Sequence, residues 1–330
     1  MTMRTFAYAQ PESLADVIAA LGAAPSRDAV RPLAGGTDLL TLMKGDIVAP
    51  DRLLDLKRLT GLDDTVEIRD NELVLGALTT LTAIETGSLV GEHCPALAKA
   101  ASLAATPQLR NRATLGGNLL QRPRCWYFRE HLIPCWLKGG DACPAREGEN
   151  GLHALFADSP CVAVHPSDLA TVLLAMDATV TVRGDAGERA IAAGDFFVQP
   201  DEGRRRENTL GGDEVVLSVA IPLIPGRTSA YHKAMDRKAW AFALVSAACS
   251  FRLDGGVMRD VRVVLGGVAP IPWRSTAAEA ALDGERPGAD VFARAAAAAL
   301  AGAEPLRHNG YKVHLARNLV IEALEEVTRA

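Results

Sequence analysis

The 330-residue chain has no run of eighteen apolar residues, so no segment reads as a membrane span. Its first ten residues carry one arginine and no apolar stretch, which predicts no signal peptide. Basic residues are not in excess. The net charge of −5 argues against broad nucleic-acid binding, which needs surplus Lys and Arg to displace counterions. The one basic run, Arg204-Arg205-Arg206, sits among Glu202, Gly203 and Glu207 and reads as a solvated loop. There is no Gly-x-Gly-x-x-Gly fingerprint, no P-loop lysine and no tight Cys-x2-Cys pair. Six cysteines in a chain of this length do not make the disulfide framework of a small secreted domain. By its own sequence the chain reads as cytoplasmic, or periplasmic if a signal-bearing partner exports it.

What is present is an α+β pattern without a simple repeat, long enough for two or three domains. Leu14, Val17, Ile18 and Leu21 recur at helical spacing within 13–23. An extended segment, 29–33, then runs into Ala34-Gly35-Gly36-Thr37-Asp38-Leu39, a glycine turn opening a helix. Strands are expected at 53–56, 72–78, 178–182 and 214–221, and helices at 82–86 and 95–105. A second glycine turn, Thr114-Leu115-Gly116-Gly117-Asn118, could face the first across one pyrophosphate; two unrelated structural turns are the alternative. Ser167 or Asp168 should cap a helix beginning at Leu169. Pro222 to Gly226 resets the pattern. Strands follow at 231–235, 244–253 and 258–268, with Asp254-Gly255-Gly256 as a hairpin turn, then Ala-rich helices at 290–301 and 310–325. The expected domains are 1–58, 59–224 and 225–330.

Four of the six cysteines, Cys125, Cys135, Cys143 and Cys161, lie in one Pro- and Gly-bearing stretch, spaced x9, x7 and x17. A thiolate tetrad can hold zinc or an iron–sulfur cluster, and wide uneven spacing favours the bulkier [4Fe–4S] group. Four unligated thiols or two disulfides are the alternatives. The surroundings, rich in Arg, Lys, Gly and Pro, offer no core in which to bury these thiols, whereas Cys94 and Cys249 read as small buried hydrophobes. His131, His153 and His165 lie in the same stretch and are read as surface or supporting groups rather than ligands.

Taken together, the two glycine turns, Ser167-Asp168 and the Lys233, Arg237 and Ala243-Leu244-Val245 region resemble the FAD-binding medium subunit of molybdenum hydroxylases, the xanthine dehydrogenase family. The resemblance covers essentially the whole chain. The cysteine-bearing insertion, about 121–161, and the runs flanking it look most like the [4Fe–4S]-containing flavin subunit of the periplasmic aldehyde oxidoreductase type. The 4-hydroxybenzoyl-CoA reductase flavin subunit is a second resemblance.

The resemblance implies a two-lobed FAD-binding domain of the vanillyl-alcohol oxidase and CO dehydrogenase flavoprotein type, the lobes being 1–58 and 59–224. An α+β C-terminal domain with a β-meander and helices would follow. It implies that Ala34, Gly35, Gly36, Thr37, Asp38 and Leu39 wrap the FAD pyrophosphate, that Thr114, Gly117 and Asn118 approach it from the second lobe, and that Ser167 and Asp168 contact the adenosine half. Lys233 would come near the flavin ring, and Cys125, Cys135, Cys143 and Cys161 would hold the cluster.

The implied function is that of an electron-transfer subunit of an oxidoreductase, with no catalytic acid or base of its own. A molybdenum-cofactor large subunit would oxidise an aldehyde or heteroaromatic substrate. A [2Fe–2S] small subunit would pass the electrons to this chain. The chain itself shows neither a molybdopterin signature nor a plant-type Cys-x4-Cys-x2-Cys motif. The resemblance leaves the external acceptor open among a ferredoxin-like protein, oxygen and NAD. Two rivals stand beside this reading: a stand-alone FAD oxidoreductase and a zinc-stabilised, non-enzymatic assembly subunit.

Overall fold

The computed structural model describes residues 3–329. Three sheets organise it. The first is parallel, in the order β1 (Ala7–Ala9), β3 (Arg52–Asp55), β2 (Val30–Leu33). Parallel neighbours need crossovers, and two helices supply them. Leu14–Gly22 starts on a reciprocal Ser13–Asp16 capping box and turns Leu14, Val17, Ile18 and Leu21 inward. Leu39–Lys44 follows the first glycine turn.

The second sheet has the order β4 (Val66–Arg69), β5 (Glu72–Gly76), β8 (Val215–Pro222), β6 (Thr179–Gly184), β7 (Gly187–Ala192), all neighbours antiparallel. The helices Leu81–Thr86, Pro95–Leu103, Leu115–Leu119 and Asp168–Ala175 share one core with it and with the first sheet's helix.

The third sheet is an antiparallel meander, β9 (Arg227–Ala234), β10 (Val245–Asp254), β11 (Val257–Gly266), β12 (Trp273–Arg274). Gly255 and Gly256 make the β10–β11 turn with φ of 58° and 81°, values that suit glycine in a two-residue hairpin. Both faces of this sheet are covered. Tyr231, Ala248 and Val264 pack into the core of the preceding sheets, while Ala230, Ala247, Cys249 and Val263 pack with the C-terminal helices Thr276–Leu282, Ala289–Ala298 and Tyr311–Arg329. The period-2 alternation of a strand distributes neighbouring side chains between two cores.

Among the described residues, no helix is long and apolar enough to cross a membrane. The expected secondary structure is largely present. The sequence reading does not contain the strands β1, β4, β7 and β12 or the helices Ser88–His93, Pro107–Arg110, Leu115–Leu119, Trp126–Arg129, Ala193–Phe196 and Thr276–Leu282.

Two findings correct the sequence reading. Arg204-Arg205-Arg206 is not a solvated loop. Arg205 lies over the Trp136 ring, 4.7 Å from its centroid, and donates to the carbonyls of Trp136 (2.6 Å) and Gly140 (2.9 Å). Arg206 reaches Asp28 with its side chain 21% exposed. The cysteine stretch also has a core of its own. Leu42, Phe128, Trp136, Leu137 and Ala163 bury Cys135 and Cys161 with them. Phe128, Trp136 and Leu137 close onto Leu42 of the helix Leu39–Lys44, with Ile47 and Val48 packed against them.

Candidate flavin and iron–sulfur sites

The two glycine turns meet. A Cβ on Gly35 would stand 1.8 Å from the Arg112 carbonyl oxygen and 3.1 Å from Ala113 Cα, so only glycine lets the first turn lie against the backbone entering the second. Gly36 has φ of 74°, the left-handed conformation glycine favours. Thr114 caps the helix Leu115–Leu119, its hydroxyl accepting from Gly117 N at 3.3 Å. Ala34, Gly35, Gly36, Thr37, Asp38 and Leu39 line one cavity of about 180 Å3, and Thr114 and Gly117 line it with them. Asn118 lies beyond its wall and meets Ser167, Oδ1 to Oγ, at 2.5 Å.

Sequence reasoning missed the cavity's charge. Arg27, Arg31, Arg122 and Arg206 all line it. Burial lowers the Arg27 and Arg31 pKa values and brings Arg206 down to about 10, with Arg27, Arg122 and Arg31 adding repulsion at Arg206. Asp28 is shared by Arg31 and Arg206, and Glu207 pairs with Arg122 at 3.1 Å. The cations thus outnumber the carboxylates paired with them, which favours an anionic ligand. The four arginines come from three separate stretches of the sequence, and no local motif announces them.

A second cavity, about 220 Å3, lies between the second lobe and the C-terminal sheet. Ser167, Asp168, His165, Phe242, Cys125 and His153 are among its lining. Ser167 caps the helix Asp168–Ala175 by accepting from Ala170 N at 3.0 Å. Asp168 is held by two residues of β9. Tyr231 donates its hydroxyl at 2.6 Å, and Lys233 Nζ lies at 2.7 Å. Burial, with Asp168 alongside, pushes the Tyr231 phenol pKa well up. Lys233 also donates to the Leu103 carbonyl and lines neither cavity. Its charge is compensated by Asp168, and it stands behind that carboxylate rather than in the cavity wall.

Asp38 links the first glycine turn to the cysteine stretch. Its carboxylate accepts from Arg129 and pairs with Arg124, each at 2.8 Å, and it accepts from Arg122 N at 2.9 Å. All four cysteines of the stretch are free thiols, as are the buried Cys94 and Cys249. One backbone amide reaches a sulfur of the four: Ala163 N donates to Cys161 Sγ at 3.4 Å. The neighbouring Cys161 thiol lowers Cys143 to about 6, and Cys143 in turn raises Cys161. Burial pushes Cys125 up to about 11, with Cys135 and Cys143 adding like-charge repulsion. Among the described residues, no three His, Cys, Asp or Glu side chains close on the position of one metal ion.

Of the histidines, His131 meets Glu130 at the surface. His165 is buried, with its pKa lowered to about 3, and accepts from Ser167 N. His153 Nε2 lies 3.2 Å from Cys125 Sγ. The C-terminal domain grips this part of the stretch. Asn309 donates to the His153 and Ala154 carbonyls, and Lys312 Nζ to those of Leu152, His153 and Gly267.

Residues 4–224 match the FAD binding domain in molybdopterin dehydrogenase, and residues 229–327 match the CO dehydrogenase flavoprotein C-terminal domain. The chain is 36% identical over 329 residues to the aldehyde oxidoreductase FAD-binding subunit PaoB of Escherichia coli, covering 98% of each chain. It is 27% identical over 326 residues to the glyceraldehyde dehydrogenase medium chain of Sulfolobus acidocaldarius, again covering 98% of each. Among solved structures, carbon monoxide dehydrogenase from Hydrogenophaga pseudoflava superposes with a TM-score of 0.79 at 27% identity, covering 100% of this chain and 99% of that one. Quinoline 2-oxidoreductase from Pseudomonas putida 86 gives 0.76 at 25% identity, with coverage of 100% and 99%.

Proposed function

The chain belongs to the FAD-binding medium subunits of the molybdenum hydroxylases, and from that premise we propose that it is the FAD- and [4Fe–4S]-bearing electron-transfer subunit of an aldehyde-oxidising complex. The molybdenum-cofactor subunit and the [2Fe–2S] subunit are its partners, and the substrate chemistry belongs to them. When bound, FAD exchanges electrons with one-electron carriers singly or in pairs, and the cluster holds one electron at a time.

The observation that carries the flavin reading is the contact of the two glycine turns, Gly35 against Arg112–Ala113, in one arginine-walled cavity. Backbone amides of Ala34 to Leu39 and of Thr114 and Gly117 hold the pyrophosphate. Arg27, Arg31, Arg122 and Arg206 attract its charge. The second cavity, between the second lobe and the C-terminal sheet, takes the isoalloxazine ring. Asn118 stands between the cavities through its contact with Ser167. Ser167 and Asp168 therefore sit beside the ring in this reading, not beside the adenosine. Asp168, fixed by Tyr231 and Lys233, orients the ring's polar edge.

Cys125, Cys135, Cys143 and Cys161 hold the cluster. The Ala163 amide donates to the Cys161 sulfur, and Cys143 is the thiol of the four held toward its thiolate, at about 6. Electrons leaving through the cluster would go to a ferredoxin-like acceptor.

A visible spectrum with metal analysis tests this reading. Flavin bands at about 370 and 450 nm with a broad iron–sulfur shoulder are expected, together with co-purifying molybdenum and [2Fe–2S] subunits. A colourless, zinc-containing chain would overturn it. Cys135→Ser in the whole complex tests the exit route. Loss of turnover with a ferredoxin but not with other acceptors supports it, and unchanged turnover with every acceptor removes it.

A further inference from the structure

We propose that His153 sets the reduction potential of the cluster by donating its Nε2–H to the Cys125 sulfur. This rests on the reading above that Cys125, Cys135, Cys143 and Cys161 hold a [4Fe–4S] group. His153 Nε2 is 3.2 Å from Cys125 Sγ. Among the described residues it is the one side chain, apart from the thiols themselves, hydrogen-bonded to any of the four sulfurs.

The sulfur selects the tautomer. Nδ1 is buried without a hydrogen-bond partner in either form. A cluster-bound thiolate can only accept, so the contact with Nε2 requires the proton on that nitrogen. The ring's aim is fixed from several sides. The His153 carbonyl accepts from Asn309 Nδ2 at 3.1 Å and from Lys312 Nζ at 2.9 Å, and its N–H donates to the Asn150 carbonyl at 3.0 Å. Trp126 packs against the imidazole edge to face, with centroids 5.6 Å apart. The C-terminal domain, through Asn309 and Lys312, thereby holds a donor on a cysteine of the FAD-binding domain.

A hydrogen bond to a ligand sulfur draws electron density from the cluster and favours its reduced form, so it raises the potential. Location gives that effect a use. Cys125 and His153 both line the second cavity, so this bond lies on the face of the cluster site turned toward the proposed ring position. The driving force between flavin and cluster is set at that edge.

The test uses the purified complex with His153→Leu and His153→Gln, measuring iron, FAD and the cluster's midpoint potential. The expected His153→Leu variant keeps FAD and the iron content of the wild-type complex, with a potential lower by about 59 mV, a tenfold change in a one-electron equilibrium. His153→Gln, which retains an N–H donor, should recover most of that shift. An unchanged potential in iron-replete His153→Leu would overturn the proposal. A second measurement is independent of variant folding. In wild-type protein labelled with 15N-histidine, pulsed EPR of the reduced cluster should detect one imidazole nitrogen, and its absence would also overturn the proposal. A wild-type complex whose iron is accounted for by the [2Fe–2S] subunit alone would instead refute the cluster reading on which this rests.

Discussion

Lys233 Nζ lies 2.7 Å from Asp168 Oδ2, and the lysine side chain is 1% exposed. The pair ties β9 to the start of the helix Asp168–Ala175. Removing one member leaves the other charge buried and unpaired. Lys233→Met should therefore cost about 3–5 kcal/mol. Asp168→Asn combined with Lys233→Met should return much of it. Urea unfolding of the four proteins in this cycle checks the coupling. Additive losses would show that the two charges do not depend on each other.

Gly35→Ala should abolish flavin binding. The added carbon would stand 1.8 Å from a backbone oxygen, where no side chain can yield, so the turns must part. The control is Gly91→Ala, in the helix Ser88–His93, where a Cβ would meet nothing within 4 Å. There a gain of about 0.5–1 kcal/mol is expected from helix propensity. Bound FAD per chain, by absorbance after gel filtration, distinguishes the two.

Arg206→Ala should weaken FAD binding to the apoprotein about tenfold, or about 1.4 kcal/mol, while riboflavin binding stays unchanged. The arginine faces the cavity assigned to the phosphates, and riboflavin has none. Calorimetry with both ligands reads the difference. Equal loss for both would move the phosphates elsewhere.

Lys312 gives a pH dependence. Burial lowers its pKa to about 7, and the partners of its Nζ are three backbone carbonyls rather than a carboxylate. In the unfolded chain its pKa returns to about 10.4. Between these values the unfolded state binds more protons, so stability rises with pH. The Tm of wild type minus that of Lys312→Met should shift in favour of wild type from about pH 7 to about pH 10. A flat difference would mean that the three carbonyls keep the ammonium charged in the fold.

The strands that sequence reading missed have a common physical basis. β4 and β7 are the two edges of the five-stranded sheet, β1 is an edge of the parallel sheet, and β12 is an edge of the meander. Edge strands bury few side chains; β7 buries only Ile191. Without burial there is no apolar alternation to read. The central strands β5, β8, β10 and β11 were legible because they bury one face or both.

At the sites, the glycine turns and the cysteines announced themselves through residue type and local spacing. The arginine wall did not, because Arg27, Arg31, Arg122 and Arg206 converge only in the folded chain. The same holds for Lys312 and Asn309. They act on the cysteine stretch from the far end of the sequence, and nothing near them in the chain points there.

The meander's two packed faces have a consequence for how this chain can be divided. A cut in the connection between Pro222 and Arg227 would free two fragments, each with half of a shared seam. One would expose the helices Pro95–Leu103 and Asp168–Ala175, the other the Tyr231, Ala248 and Val264 face. Neither would be a soluble unit alone, and together they would reassemble by that seam. Exchange of the C-terminal part between relatives would succeed only where the donor's sheet face matches the helices that receive it.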